Sequence, residues 1–405
     1  MNYSFAERMT AMKPSIIREI LKSSSGQSVI PFAAGNPASE TFPLEAIRTF
    51  TTQILADHPV AALQYGVTEG YDPLREHLLE HLQQRFGIDT TGNSLMVVSG
   101  AQQGIELACK VFCNEGDTII CESPSFIGSL NTFRTAGVRL AGVPMEQDGI
   151  HLEQLEHALQ TEHNVKLIYL IPSFQNPTGI TTSAEKRKAI YALAKQYNVV
   201  ILEDNPYGEL RFHGDDVPTL KAIDDEQLVI YVGSFSKVLS AGLRVGYVLA
   251  PEEIIQKMAV AKQGEDVHTA ILPQMIAHKF MTEYDYEGHI QLVRDVYRRK
   301  SDLMRRSLEQ YMDASVAYTQ PDGGLFLWCE LPPNMPMLAY CKQAAASGVA
   351  VVPGNAFLVN ESEPCNALRL NFSTPSDEQI VRGVEILGQV FTQQQQELAA
   401  SNTEL

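Results

Sequence analysis

The sequence predicts an α/β fold in which a mostly parallel sheet is sandwiched by helices and a smaller α+β domain follows. Two patterns carry this prediction. Short apolar runs alternate with helical segments over residues 96–249, and uninterrupted apolar runs are typical of parallel strands buried on both faces. After residue 290 a long amphipathic segment precedes a mixture of short strands and helices, which favours an α+β arrangement.

The first elements are helical. Residues 15–21 form a short amphipathic pattern, and a helix is expected to start at residues 41–43, since proline is favoured in a first turn. Residues 73–86 continue the helical pattern and end at Gly87. Strands are then predicted at the apolar runs 96–98, 118–121, 167–171, 199–202, 228–231 and 243–249.

Helical patterns connect these strands and continue after them. Helices are expected to open at residues 99–104, at residues 122–126 and at Ser183, and further helices are predicted at 264–281 and 290–312. Strands follow at 326–329, 349–352 and 368–372, and the polar tail from Thr392 is expected to fray. These patterns divide the chain into an N-terminal segment (1–45) joining the small domain, a large domain (46–290) and a small domain (291–405).

Composition narrows the possible partners. The 405 residues carry 31 basic and 48 acidic side chains, a net charge of −17, which argues against nucleic acid or an anionic membrane as a partner. Six scattered cysteines form no C-x-x-C pair or metal-ligand spacing, so we expect no metal site and a reducing compartment. The N-terminus lacks a signal-peptide pattern, and no apolar run reaches membrane-spanning length, which predicts a cytoplasmic protein.

Polar clusters follow five of the predicted strands. Open α/β sheets bind ligands at the carboxyl ends of their strands, so these clusters are expected to meet at one edge. They are Ser99-Gly100, Ser123-Pro124, Asn176-Pro177, Asp204-Asn205 and Ser236-Lys237.

The segment 232–246 after the strand at 228–231 carries the most specific chemistry. A lysine at this edge, Lys237, can lose its proton when stripped of water and form a Schiff base with a carbonyl. Ser234, Ser236 and Arg244 are suited to a phosphate. Together they provide what pyridoxal 5′-phosphate requires, although S-x-S-K alone is more often an ordinary surface sequence.

Residues at the other strand ends fit the same cofactor. Asp204 could pair with a protonated pyridine nitrogen or simply cap a helix, and Asn176 and Tyr207 could bind the phenolic oxygen or serve as turn and core residues. The backbone N–H groups of Gly100, Ala101 and Gln102 are suited to a phosphate. Phe126 could stack on the ring or belong to the core.

Arg369 is a charge inside an alternating apolar strand, A-L-R-L-N-F. Such an arginine needs a partner. A substrate α-carboxylate bound by both guanidinium nitrogens is one candidate, and an internal salt bridge is the alternative.

With these residues in order, the chain resembles the class I/II aminotransferases, which are fold type I pyridoxal phosphate enzymes, and within them the 2-aminoadipate/kynurenine branch. The resemblance covers about residues 15–391. Its most specific motifs are L-Q-Y-G-V-T-E-G-Y-D-P-L-R-E (63–76), S-G-A-Q-Q-G (99–104), P-S-F-Q-N-P-T-G (172–179), E-D-N-P-Y (203–207), G-S-F-S-K-V-L-S-A-G-L-R-V-G (233–246) and L-R-L-N-F (368–372).

The resemblance implies a seven-stranded type of sheet and a role for each residue. Lys237, Asp204 and Tyr207 match catalytic residues, and Asn176 joins Tyr207 at the phenolic oxygen. The residues matching the phosphate cup are Ser234, Ser236, Arg244, Gly100, Ala101 and Gln102, with Phe126 stacking on the ring. Tyr65 matches a tyrosine that reaches the neighbouring subunit's phosphate, which implies a homodimer with shared sites.

Substrate contacts are implied at Arg369, Asn176, Tyr65 and the loop Gly35-Asn36, and Arg18 matches an arginine used for acidic side chains. Two residues depart from the family pattern: Ala101 replaces a hydroxyl residue, and Phe126 stands where tyrosine is common.

The implied activity is transfer of an amino group between an L-amino acid and a 2-oxo acid such as 2-oxoglutarate, with ping-pong kinetics. Candidate donors are 2-aminoadipate, glutamate, and aromatic or branched-chain amino acids. The alternatives are a β-lyase, decarboxylase or racemase on the same scaffold. An effector-binding regulatory module without its DNA-binding domain is a further alternative.

Overall fold

The structure, a computed structural model, describes residues 3–10 and 29–403. Among these residues, eight strands form the larger sheet, in the order β1-β8-β7-β6-β5-β2-β3-β4. The strands are β1 (Asn93–Val98), β2 (Thr118–Ser123), β3 (Arg139–Glu146), β4 (Gly149–Ile150), β5 (Val165–Leu170), β6 (Val200–Asp204), β7 (Val229–Ser234) and β8 (Gly246–Pro251). The predicted mostly parallel sheet is confirmed, and the strand beyond seven is the two-residue β4, which pairs antiparallel with the end of β3.

Helices cover both faces of this sheet, and the sheet separates two apolar cores. The helices before and within the sheet region are α1 (Glu7–Thr10), α2 (Leu44–Asp57), α3 (Pro59–Leu63), α4 (Asp72–Phe86), α5 (Ala101–Phe112), α6 (Ile127–Thr135), α7 (Leu152–Thr161) and α8 (Ala184–Tyr197). Ser183 caps α8 by accepting a hydrogen bond from the Lys186 amide, as its position before the helical pattern predicts. The predicted helix at residues 15–21 lies outside the described residues.

A second, antiparallel sheet of four strands forms within residues 317–371, in the order β11-β12-β10-β9. Its strands are β9 (Ala317–Tyr318), β10 (Phe326–Glu330), β11 (Val352–Pro353) and β12 (Ala367–Asn371). The remaining helices are α9 (Glu252–Gln263), α10 (Ile271–Thr282), α11 (Tyr286–Tyr311), α12 (Met337–Ala346) and α13 (Asp377–Thr403). The smaller α+β unit is thus confirmed, while the domain boundaries stay predictions; the one at 290/291 falls inside α11.

Two local predictions are wrong. The tail does not fray at Thr392, because α13 continues to Thr403: its residues are good helix formers, and Val390 and Phe391 are buried. The helix predicted at 264–281 starts only at Ile271, and a separate helix, α9, precedes it. The segment between them includes Val267 in a left-handed conformation (φ +66°), which interrupts a helix.

In the part of the chain that the structure describes, no helix combines the length and apolar character that crossing a bilayer requires.

Candidate active site

The sheet topology brings the predicted polar clusters to one edge. β2, β5, β6 and β7 run parallel, and β1 runs in the same direction because β8 is antiparallel to both β1 and β7. The residues after these strands therefore share an edge. Because β8 runs the opposite way, its start at Gly246 lies at this edge too, which places the preceding Arg244 beside the ends of β1 and β7.

Lys237 ends a short 3₁₀ turn that continues from β7 and is capped by the Ser234 hydroxyl. Its Nζ donates a hydrogen bond to the carbonyl oxygen of Gly35 at 2.7 Å, so the segment before α2 closes over the amine. Burial, together with the nearby charges of Arg369 and Arg244, lowers the pKa of Lys237 to about 8, while Asp204 acts in the opposite direction. The neutral amine is thus more accessible near neutral pH than that of an ordinary lysine.

Asp204 ends β6 and is almost completely buried. Its Oδ2 accepts a hydrogen bond from the Tyr169 hydroxyl at 2.8 Å, and this hydroxyl accepts one from Ser129 Oγ at 2.8 Å. Its Oδ1 is buried without a hydrogen-bond partner among the described residues. Burial raises the pKa of Asp204 to about 7, which the Tyr169 hydrogen bond and Lys237 partly offset. An unpaired buried carboxylate oxygen is costly, so this atom is suited to a cationic donor.

Arg369 lies on β12 and donates from Nη1 to Asn176 Oδ1 at 2.9 Å and from Nη2 to the carbonyl oxygen of Ala33 at 2.9 Å. Its guanidinium carbon lies 4.2 Å from the centre of the Phe326 ring and 5.0 Å from that of Phe357. No carboxylate pairs with it among the described residues, so the salt-bridge alternative finds no support there. Burial lowers the pKa of Arg369 to about 10.

Tyr207 is buried next to Asn176 and Arg369. Burial raises the pKa of its phenol, while Arg369 and a hydrogen bond with Asn176 act the other way. The Tyr207 ring packs edge-on against Phe326, at 6.0 Å between ring centres. Asn176 and Tyr207 therefore lie together beside Arg369.

Polar groups suited to an anion lie where β1, β7 and β8 meet. Ser234 Oγ donates to Ser236 Oγ at 2.9 Å, and Arg244 Nη1 lies 3.5 Å from Ser236 Oγ. Arg244 Nη2 donates to the carbonyl oxygen of Ser99 at 3.1 Å. Gly100 has φ +83°, and a Cβ there would lie 2.0 Å from Arg244 Nη2, so only glycine allows this close approach.

The helix α5 starts immediately after Gly100, so the first-turn N–H groups of Ala101 and Gln102 lack partners within the helix. The side chain of Gln102 points away towards α6, because its Nε2 donates to Thr132 Oγ1 at 2.7 Å and to the Gly128 carbonyl at 3.2 Å. Gln102 can thus offer an anion its backbone amide but not its side chain. We refer to Ser234, Ser236, Arg244 and the start of α5 as the phosphate cup.

The remaining predicted residues lie around this centre. Phe126 is half-buried at the start of α6, and the Asn36 carbonyl accepts hydrogen bonds from Ser373 and Thr374 hydroxyls at 2.7 and 3.1 Å. Tyr65 is 80% exposed and packs edge-on against His268. Arg18 lies outside the described residues.

Two buried groups were missed by the sequence reasoning. Tyr169 supports Asp204, as described above. Glu122 is fully buried, accepts hydrogen bonds from the Ile171 amide at 3.1 Å and from Gln175 Nε2 at 3.2 Å, and burial raises its pKa to about 7. A polar residue within or just after an apolar run was the only sequence signal for either.

The polar groups at this edge fit a ligand with three features. The phosphate cup suits a dianion, Asp204 Oδ1 suits a protonated ring nitrogen, and the Lys237 amine suits a carbonyl carbon. Within the described residues, no group of three His, Cys, Asp or Glu side chains is arranged for a metal ion.

The family model for aminotransferases of class I and II matches residues 27–387. This chain belongs to that family. It is 39% identical to aromatic-amino-acid aminotransferase 1 of Thermococcus litoralis, over 96% of this chain and 94% of that protein. It is 38% identical to 2-aminoadipate transaminase of Thermus thermophilus, over 96% of both chains. Its fold matches the crystal structure of Pyrococcus horikoshii kynurenine aminotransferase in complex with PMP, with a TM-score of 0.92, 36% identity and coverage of 96% and 97%.

The predicted family, fold type and activity class are thereby confirmed. The chain is an aminotransferase that depends on pyridoxal 5′-phosphate and acts on amino acids and 2-oxo acids. The residues gathered at the sheet edge are of the types that this cofactor requires.

Proposed function

We propose that this aminotransferase uses Lys237 to move the substrate's α-proton and Arg369 to bind the substrate's α-carboxylate. Two features of the site support this proposal. The Lys237 amine is buried and has a pKa of about 8, and the nearby buried guanidinium of Arg369 has no carboxylate partner among the described residues. A neutral amine accepts a proton and its conjugate acid returns one, and both forms are accessible near neutral pH.

The other residues hold the cofactor. Bound pyridoxal phosphate supplies an aldehyde that takes up the amino group and a ring that withdraws electrons from the substrate carbon. In this proposal the carboxylate of Asp204 keeps the ring nitrogen protonated, and Asn176 and Tyr207 donate hydrogen bonds to the phenolic oxygen. Phe126 packs on the ring, and the phosphate cup binds the phosphate.

For the substrates, we propose 2-aminoadipate, glutamate or an aromatic amino acid as donor and 2-oxoglutarate as acceptor. The activities named for the two relatives support the aromatic and 2-aminoadipate donors of this set. Arg18 would bind an acidic side chain, while Gly35 and Asn36, whose loop carries the acceptor for Lys237 Nζ, would line the substrate site.

We also propose a homodimer in which Tyr65 contacts the phosphate of the neighbouring site. Tyr65 lies in a segment, residues 44–67, in which four apolar side chains are more than half accessible: Leu44, Val60, Leu63 and Val67. A patch of this kind marks a protein interface. A cytoplasmic location fits the six cysteines, none of which forms a disulfide.

The test is a half-reaction with each candidate donor. Purified holoenzyme mixed with one amino acid and no acceptor should release one 2-oxo acid per site, and steady-state data with 2-oxoglutarate should give parallel double-reciprocal lines. Release of carbon dioxide, of an eliminated side-chain group or of the D-amino acid would instead favour a decarboxylase, β-lyase or racemase. No turnover with any donor would favour a regulatory module.

The acidic-substrate proposal is tested by Arg18→Ala beside Arg8→Ala, an exposed arginine of the same N-terminal segment. Arg18→Ala should raise KM for 2-aminoadipate and glutamate but not for an aromatic donor, and Arg8→Ala should change neither. An equal effect of Arg18→Ala on acidic and aromatic donors would contradict the assignment.

A further inference from the structure

A fully buried lysine, Lys262, is connected to the phosphate cup through Gln103, Asp266 and Ser99. Its Nζ donates to Asp266 Oδ1 and Oδ2 at 2.8 and 2.9 Å, to Gln103 Oε1 at 2.7 Å and to Thr269 Oγ1 at 3.0 Å. Burying an ammonium group is costly unless it is paired and fully hydrogen-bonded, as it is here. We call Ser99, Gln103, Lys262, Asp266 and Thr269 the Lys262 cluster.

The Lys262 cluster fixes Ser99 at both its backbone and its side chain. Gln103 Oε1, which accepts from Lys262, also accepts from the Ser99 amide at 2.8 Å. Asp266 Oδ2 accepts from Ser99 Oγ at 2.9 Å, and Ser99 Oγ lies 3.2 Å from Thr269 Oγ1. Removing the lysine would therefore leave Gln103, Asp266 and Thr269, the three partners of Ser99, without the ammonium group to which all three are hydrogen-bonded.

Ser99 connects the Lys262 cluster to the phosphate cup. Its carbonyl oxygen accepts from Arg244 Nη2 at 3.1 Å, and the next residue, Gly100, begins the turn into α5. Ala101 brings no side-chain hydroxyl to the cup, so the backbone amides at the start of α5 bear more of the phosphate contact. Their position depends on where Ser99 and Gly100 are held.

The loop between α9 and α10 contains a strained residue, Val267, and the Lys262 cluster contacts the loop on both sides of it. Val267 has φ +66°, which is unusual for a β-branched residue and persists only where the surroundings impose it. Its neighbours Asp266 and Thr269 are both held by Lys262. The loop also contacts the end of β1, where Thr269 Oγ1 approaches the Val97 carbonyl at 3.4 Å.

We propose that Lys262 is a positioning residue for the phosphate cup. By holding Ser99 through Gln103 and Asp266, it places Arg244 and the first turn of α5, and so sets the affinity for the phosphorylated cofactor. This inference rests on the proposed function, in which the cup receives the cofactor's phosphate.

The matched control is Lys221, another buried lysine in a short-range ion pair. Its Nζ donates to Asp224 Oδ2 at 2.7 Å and to the Val229 carbonyl at 2.9 Å, at the start of β7 and thus at the opposite end of that strand from Lys237. Lys221→Met and Lys262→Met each remove one buried ammonium group from a carboxylate. Only the second is expected to disturb the cup.

The experiment measures dissociation constants of the cofactor-free protein by absorbance titration, for pyridoxal phosphate and for pyridoxal, which lacks the phosphate. Lys262→Met should weaken pyridoxal phosphate binding by about tenfold or more relative to Lys221→Met, since residues sharing one network couple by factors of this order. Its affinity for pyridoxal should match that of Lys221→Met. Ser99→Ala, which removes the hydroxyl contacts with Asp266 and Thr269 but keeps the backbone contact with Gln103, should show a smaller loss of the same kind.

Arg244→Ala separates this inference from the function on which it rests. If Arg244→Ala binds pyridoxal phosphate as tightly as the unsubstituted protein, the assignment of the phosphate cup is wrong. If Arg244→Ala weakens binding while Lys262→Met and Ser99→Ala match Lys221→Met, only the role of Lys262 is overturned. Equal losses for pyridoxal and pyridoxal phosphate in Lys262→Met would also overturn it. Should Lys262→Met fail to fold, Ser99→Ala decides.

Discussion

Asp204 and Glu209 lie five residues apart, and both carboxylates are largely buried, yet their surroundings differ. Burial raises the pKa of Glu209, but His81 and Arg85 outweigh it and hold the pKa below its ordinary value. Contacts from His81 at 2.8 Å, Arg85 at 3.0 Å and Arg294 at 3.5 Å satisfy this carboxylate. Asp204 receives one phenol hydrogen bond and keeps one oxygen without a partner among the described residues.

Two buried arginines repeat this contrast. Arg187 donates from Nε to the Thr182 carbonyl at 3.0 Å and from its Nη atoms to the Pro218 and Pro172 carbonyls at 3.0 and 2.7 Å. Arg369 also lies away from carboxylates of the described chain, but its Nε has no partner there. A buried charge satisfied within the chain stabilises the fold, whereas one left incompletely satisfied is available to a ligand.

The largest difference is expected between the variants Asp204→Asn and Glu209→Gln, which test the two carboxylates directly. Asp204→Asn should lower turnover by about 10² to 10⁴-fold, the range for losing control of a proton in catalysis, because an amide cannot keep the ring nitrogen protonated. Glu209→Gln should leave turnover of the folded enzyme nearly unchanged and cost about 3 kcal/mol of unfolding free energy. Steady-state kinetics and urea denaturation measure the two effects.

The same two variants should also differ in how the stability of the cofactor-free protein depends on pH. Because folding raises the pKa of Asp204 to about 7, its contribution to stability is present at low pH and is lost as the pH rises towards 7. Asp204→Asn should therefore gain stability relative to the unsubstituted protein over this range. A variant that lost stability as Glu209→Gln does would contradict the distinction between the two carboxylates.

A smaller effect is expected from Arg369→Lys beside Arg187→Lys. Lysine keeps the charge but loses the planar pair of donors, so Arg369→Lys should lower kcat/KM by roughly 10- to 100-fold for both the amino acid and the 2-oxo acid, through KM. Arg187→Lys should lower the thermal midpoint with KM unchanged. If Arg187→Lys raised KM as much as Arg369→Lys, an unpaired N–H group on a buried arginine would not identify the substrate site.

The smallest effect concerns proton affinity at Lys237. Recombination of the cofactor with the cofactor-free protein needs the neutral amine, so its rate should rise with pH through about 8. Arg369→Leu removes a positive charge that disfavours the lysinium form, so the midpoint should move to higher pH. Arg369→Lys keeps that charge and should leave the midpoint near its original position; a shift to lower pH in Arg369→Leu would contradict the electrostatic account.

Much of this arrangement could be predicted from the sequence because it follows from position along the chain. The strand-end rule places Asn176, Asp204 and Lys237 at one edge without knowledge of any distance. Arg244 also follows, once an antiparallel strand is recognised after it. Gly100 could also be predicted from its position, since a glycine between a strand and a helix indicates that another group approaches the backbone closely there.

The supporting contacts could not be predicted in this way, because they join residues far apart in sequence. Lys262 looks like a helix-surface lysine in the amphipathic pattern, and only the fold brings it to Gln103, 159 positions away. The partners of Glu209 come from α4 and α11, so its residue type gave no sign of its environment. The buried face of α13 likewise depends on packing against α11, a contact between residues far apart in sequence.

The most direct test of the central claim is the location of the covalent attachment to the cofactor. The holoenzyme would be reduced with borohydride, digested with a protease and analysed by mass spectrometry. The account predicts that the reduced phosphopyridoxyl mass is found on the peptide containing Lys237, with Lys262 and Lys221 unlabelled. Labelling of another lysine instead, or no labelling of a protein that has taken up the cofactor, would contradict it.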